Sequence, residues 1–200
     1  WADDFCESIF FLGNGRMGIR GYLSSEPAPR PAQKGLYLAG IFGEIKPGIT
    51  DFVNLPTPVR ETVLIDGAEP SLAGDVERSL NLQEATLTIR YTLSANGKRL
   101  EIQHQRFLPK DHTALLLQRL TLIPNADMEL TISSGILPDS CNSPIPDDQT
   151  KANTETVQLS HPGLAEVSSQ GISCTFSIGG SNLTVNQETT FYCPDFTYVR

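Results

Sequence analysis

Leu87-Thr88-Ile89-Arg90-Tyr91-Thr92-Leu93, followed by Asn96-Gly97 and then by Leu100-Glu101-Ile102-Gln103-His104-Gln105-Arg106-Phe107, is the stretch that decides the fold. Side chains of an extended chain point alternately to opposite faces, so Leu87, Ile89, Tyr91 and Leu93 fall on one face. That is the pattern of a half-buried strand. Asn-Gly is the dipeptide best suited to the positive φ angles of a tight two-residue turn. The two runs are therefore expected to form an antiparallel β-hairpin.

Working outward, Thr113 to Leu122, Met128 to Ser134, Ile172 to Ile178 and Ser181 to Tyr192 read as further strands, each bounded by Gly, Pro, Asn or Asp. Several short strands separated by turn signals predict an all-β fold, an antiparallel β-sandwich. Ile19-Arg20-Gly21-Tyr22-Leu23 also looks like a strand. The one helical signal is a short turn across Gly74 to Glu84, too short and too weakly periodic for a packed helix. Between Pro138 and Gly163 the composition shifts to Pro, Asp, Asn, Ser and Thr, which predicts a long excursion from the sheet. The last residues, Phe191 to Arg200, are aromatic and strand-like to the end, and the chain opens on Trp1 without an initiator Met. Residues 1–200 are thus expected to be one domain excised from a longer protein, truncated at its C-terminal end.

Composition narrows the partners. With 200 residues and 39% hydrophobic content, the chain can bury one sizeable core. Lys and Arg number 15 against 23 for Asp and Glu, and the net charge of −8 repels phosphate backbones and anionic lipid. Nucleic acid and membrane are excluded as expected partners. Apolar runs such as Ile9 to Leu12 are far shorter than the roughly 20 residues that cross a bilayer. Cys6, Cys141, Cys174 and Cys193 are widely spaced, with no C-x-x-C pair, so they read as small reduced thiols rather than metal ligands. A cytoplasmic location is expected. Asn182-Leu183-Thr184 fits the glycosylation sequon, but nothing else indicates a secretory route.

Gly13-Asn14-Gly15-Arg16-Met17-Gly18 fits G-x-G-x-x-G, the pattern that cradles phosphates where a strand meets a helix. A dinucleotide site needs a helix after the third Gly, whereas here another strand and then Pro27, Pro29 and Pro31 follow. The expected structure is a glycine turn joining two strands. His104, His112 and His161 are too far apart in sequence to suggest a metal cluster. Glu7, Glu61, Asp66, Asp111 and Asp139 could supply a carboxylate pair for glycoside chemistry, but the sequence places no two at the required separation. Arg106-Phe107 and Asp111-His112 flank the link between two strands, where a surface ion pair and a capped turn account for the charges.

Glu7-Ser8-Ile9-Phe10-Phe11-Leu12-Gly13-Asn14-Gly15-Arg16-Met17-Gly18-Ile19-Arg20-Gly21 resembles the N-terminal signature of glycoside hydrolase family 65, which includes maltose, trehalose and kojibiose phosphorylases. The resemblance continues in order through Gly35 to Phe42, Phe52 to Pro56, Ile65-Asp66-Gly67, Arg78 to Gln83, Gly97-Lys98-Arg99, Arg106-Phe107 and His112. It implies a supersandwich of the galactose-mutarotase-like type that packs against an (α/α)₆ barrel carrying the catalytic carboxylate. It also implies an inverting reaction, in which a barrel Glu protonates the glycosidic oxygen while inorganic phosphate attacks from the opposite face. Neither Glu nor phosphate loop maps onto this chain, so no catalytic residue and no cofactor is assigned; phosphate is a co-substrate of the parent. Arg16-Met17 departs from the aromatic-Leu pair of many members, and the glycine motif is also similar to the N-terminal sandwich of fucosidase family 95.

The resemblance implies a non-catalytic domain supporting a barrel of the same polypeptide, with a disaccharide as the parent's substrate and room for a homodimer. Asn14, Arg16 and Arg20 are expected at the substrate-pocket rim or barrel interface. The alternative for Asn14 and Arg20 is that they satisfy backbone groups within the domain. Two other functions stay open: a free-standing carbohydrate-binding module, and a mutarotase-like epimerase using a His and a Glu on the sandwich.

Overall fold

The computed structural model describes residues 2–25, 35–137, 159–160, 166–167, 171–178, 183–190 and 192. The expected hairpin forms as read: β9 (Thr86–Ala95) and β10 (Lys98–Phe107) are antiparallel, with Leu93 opposite Leu100 and Leu87 opposite Arg106. Asn96 and Gly97 turn it with φ of 54° and 74°. Leu87, Ile89, Tyr91 and Leu93 are all buried, as the alternation requires.

The remaining elements are helix α1 (Ala2–Ile9) and strands β1 (Leu12–Gly13), β2 (Met17–Ile19), β3 (Leu36–Leu38), β4 (Phe42–Lys46), β5 (Ile49–Phe52), β6 (Thr57–Ile65), β7 (Ser71–Leu72), β8 (Glu77–Asn81), β11 (Leu117–Pro124), β12 (Leu130–Leu137), β13 (Leu159–Ser160), β14 (Glu166–Val167), β15 (Gly171–Ile178) and β16 (Thr184–Thr190). All strand pairings among the described residues are antiparallel, and the architecture is an all-β sandwich. The largest sheet runs β11-β10-β9-β7, with β8 also on β9; smaller sheets are β1-β2-β3, β4-β5, β12-β6 and β13-β15-β14, with β16 on β15. One core joins them, with Leu12, Ile19, Tyr22, Val53, Ile65, Ile89, Ile102 and Ile178 among its members.

Three expectations are corrected. Gly74 to Glu84 is not helical: Glu77–Asn81 alternates exposed and half-buried residues and pairs with β9, and the Asn81 carboxamide then accepts from the amides of Gln83 and Glu84 to turn the chain. The helix lies instead at Ala2–Ile9. Finally, Ile19 to Leu23 is not one strand, because β2 ends at Ile19 and Arg20 onward leaves the sheet. The Pro138–Gly163 excursion falls almost wholly outside the described residues, as do Cys141 and Cys193, whereas Cys6 and Cys174 are free. No described helix is long and apolar enough to cross a membrane.

Candidate functional site

The glycine motif is a hairpin, and Gly15 and Gly18 each have a structural cause. Gly13 and Gly18 are directly opposed across β1 and β2, and the Phe11 ring occupies the space above both. A Cβ on Gly18 would overlap that ring. Gly15 turns the chain at φ +88°, a left-handed conformation that favours glycine. A strand and not a helix follows Gly18, so the motif presents no helix N-terminus to a phosphate.

Asn14 fastens this hairpin inside the domain. Its Oδ1 accepts from the amides of Arg16 (3.1 Å) and Met17 (2.8 Å), and its Nδ2 donates to the carbonyls of Pro109 (3.0 Å) and Thr113 (3.2 Å). One carboxamide thus closes the turn and ties it to the link after β10. Arg16 is exposed at the hairpin tip, and its carbonyl accepts from Ala39 N at 2.7 Å. Arg20 is half-buried and donates from Nη2 to Ser8 Oγ at 2.8 Å.

Beyond β2, Gly21 to Ser24 are buried yet belong to no strand. A buried backbone without a ladder must find partners for its polar groups elsewhere. Here side chains and isolated amides serve: Arg106 Nη1 donates to Arg20 O (3.3 Å), Arg78 Nε to Gly21 O (3.1 Å), Gly21 N to Glu7 O (2.9 Å) and Glu61 N to Ser24 O (3.1 Å). Side chains of the segment are held as well. Ser24 Oγ lies 2.8 Å from Glu61 Oε2 and 3.0 Å from His104 Nδ1, Ser25 pairs with the Tyr91 hydroxyl, and Thr57 Oγ1 donates to the Tyr22 hydroxyl at 3.0 Å. The Arg106 guanidinium carbon sits 4.5 Å from the Tyr22 ring centroid, a cation–π contact.

Arg106 is 0% exposed, which overturns its reading as a surface charge at a strand end. The reason lies in the register: Arg106 continues the inward row of Leu100, Ile102 and His104 on β10. Alternation could have flagged it, since Arg106 shares parity with the apolar Leu100 and Ile102. Burial raises the Tyr22 phenol to about 12, with Arg106 opposing. Burial also pushes the Glu61 carboxyl up, against the Ser24 hydrogen bond and Arg106. His104 is held well below the ordinary imidazole value by burial and then by Arg106.

Among the candidate carboxylates, Glu7 and Glu61 join this cluster. Asp66 instead bonds Lys98 and the Glu129 amide, Asp111 is exposed, and Asp139 lies outside the described residues. His104 is buried, His112 is exposed, and His161 is outside the described residues. His104 and Glu61 approach within 3.9 Å, but His104 is 1% exposed, so no sugar ring can reach that pair as it stands. No group of three metal-ligating side chains occurs among the described residues.

Comparison with known proteins places this architecture. No curated protein sequence matches the chain. A solved structure, "Putative kojibiose phosphorylase from human microbiome", superposes with a TM-score of 0.70 at 16% sequence identity, over 92% of this chain and 25% of that one. The chain therefore spans about a quarter of that protein's length. The profile described as "Glycosyl hydrolase family 65, N-terminal domain" matches residues 5–195, and the chain belongs to that family.

Proposed function

We propose that this chain is the non-catalytic N-terminal domain of a carbohydrate-active enzyme that acts on α-glucosidic disaccharides, by phosphorolysis with inorganic phosphate as co-substrate or by hydrolysis. Its role is to brace the catalytic barrel of the same polypeptide. The docking face consists of α1, Phe11 and the Gly13–Gly18 hairpin, with Asn14, Arg16 and Arg20 at the pocket rim and space left for a homodimer. The observation that carries this is the inverted polarity of α1. Phe5 and Ile9, one helical turn apart, are 66% and 55% exposed, while Glu7 is 3% exposed. A short helix that buries a carboxylate and presents an apolar pair has its outer face suited to a protein neighbour. Cys6 and Cys174 as free thiols fit a cytoplasmic location.

The test uses the full-length polypeptide. Phe5→Lys with Ile9→Lys is expected to lower its melting temperature and its phosphate-dependent release of glucose 1-phosphate, yet leave the melting of the 200-residue chain unchanged. Unaltered turnover and melting of the full-length variant would remove this docking face.

A carbohydrate-binding module is the second reading. Phe42 and Phe52, opposed across β4 and β5, expose 45% and 53% of their surface with ring centroids 4.8 Å apart. Sugar-induced shifts in their ring resonances, with no effect of the lysine substitutions above, would favour it.

A further inference from the structure

Ser24, Glu61 and His104 meet between the Gly21–Ser24 segment, β6 and β10, and hydrogen-bond directions there can be counted. Ser24 has one hydroxyl proton to give, to Glu61 Oε2 at 2.8 Å or to His104 Nδ1 at 3.0 Å. An ionised carboxylate only accepts. With Glu61 ionised, the hydroxyl therefore donates to Glu61, and His104 must be the Nδ1–H tautomer donating to Oγ. His104 Nε2 is then a bare lone pair in the interior, 3.9 Å from Glu61 Oε1, with the Gln118 side-chain amide facing the ring. Two acceptors facing each other in the interior are unfavourable.

We propose that Ser24, Glu61 and His104 form a one-proton relay, in which uptake of a single proton neutralises Glu61 and switches His104 from its Nδ1–H to its Nε2–H tautomer. A solvent proton enters at Nε2, the Nδ1 proton passes to Ser24 Oγ, and the hydroxyl's own proton passes to Glu61 Oε2. Afterwards the carboxyl donates to Oγ, Oγ donates to Nδ1, and Nε2–H lies 3.9 Å from Oε1. The imidazole is neutral before and after.

The surrounding groups favour this outcome over an imidazolium. Arg106 lies two residues along β10, in contact with the Tyr22 ring; Glu7 faces Arg106 and Tyr22 from α1; Tyr91 on β9 faces Glu61; and the Gln118 amide of β11 faces His104. Burial and Arg106 disfavour a second cation, whereas burial favours a neutral Glu61. Ser24 makes two hydrogen bonds in either state, and only their directions reverse.

The relay is read in the protein labelled with ¹⁵N-histidine, whose long-range proton–nitrogen spectra distinguish both neutral tautomers from the imidazolium. The His104 signals, identified by their loss in His104→Gln, are expected to pass from Nδ1–H at alkaline pH to Nε2–H on acidification. Glu61→Gln is expected to fix one tautomer at every pH. Formation of an imidazolium, one unchanging tautomer in the wild type, or a switch that persists in Glu61→Gln would each overturn the relay. The wild-type titration decides the matter even where a variant fails to fold.

Discussion

Replacing Asn14 with alanine removes four hydrogen bonds at once, and the structure sets the size of the loss. The bond to Arg16 N is exposed, so water can replace its acceptor at small net cost, whereas the bond to Met17 N is part-buried. Those to Pro109 O and Thr113 O are part-buried and span 95 and 99 residues of sequence. Losing such donors leaves carbonyls short of partners, and with the turn bonds the total is about 2–3 kcal/mol. For a domain of this size that corresponds to a fall in Tm of about 4–12 °C. Asn14→Asp refines the test. Its carboxylate keeps the two turn bonds but sets a negative oxygen against two carbonyls, so at neutral pH it should destabilise at least as much as alanine. Acidification should recover part of the loss, since a protonated carboxyl can donate to one carbonyl. Urea denaturation of the 200-residue chain at neutral and acidic pH measures both. An Asn14→Asp variant as stable as the wild type, or an alanine variant within about 0.5 kcal/mol of it, would show that Asn14 does not brace the hairpin.

Tyr22 should make the fold sensitive to alkali. Its phenol is raised from 10.0 to about 12, so the folded state keeps a proton that the unfolded chain loses, and stability falls as pH rises through that window. The loss attributable to Tyr22 is about 3 kcal/mol, seen as a steeper alkaline decline in wild type than in Tyr22→Phe; parallel declines would exclude Tyr22 as the cause. Gly18→Ala should displace the Phe11 ring at a cost of about 1–3 kcal/mol. Phe11→Ala should relieve much of that cost, so that the double variant is less destabilised than the two single changes combined, and strict additivity in calorimetry would show that the ring is not the obstacle.

Period-two alternation determined the β9–β10 hairpin, because a strand with one buried face must alternate and Asn96-Gly97 allows one tight turn. The sequence likewise excluded a nucleotide loop, since strand and proline signals follow Gly18 where a helix would be needed. The eight residues of α1 carry too short a pattern for helical periodicity, and what orders them is tertiary: Glu7 O receives Gly21 N, and Glu7 itself is buried. Only the tertiary structure decided that Arg106, His104 and Glu61, from two strands far apart in the chain, converge beneath Gly21 to Ser24. Alternation gives the side of a sheet on which a residue lies, but not which unladdered backbone will be laid against it. Arg106 and Arg78 donate to carbonyls of that backbone, and Glu61 and His104 hold its Ser24 hydroxyl, partners that no neighbouring strand supplies.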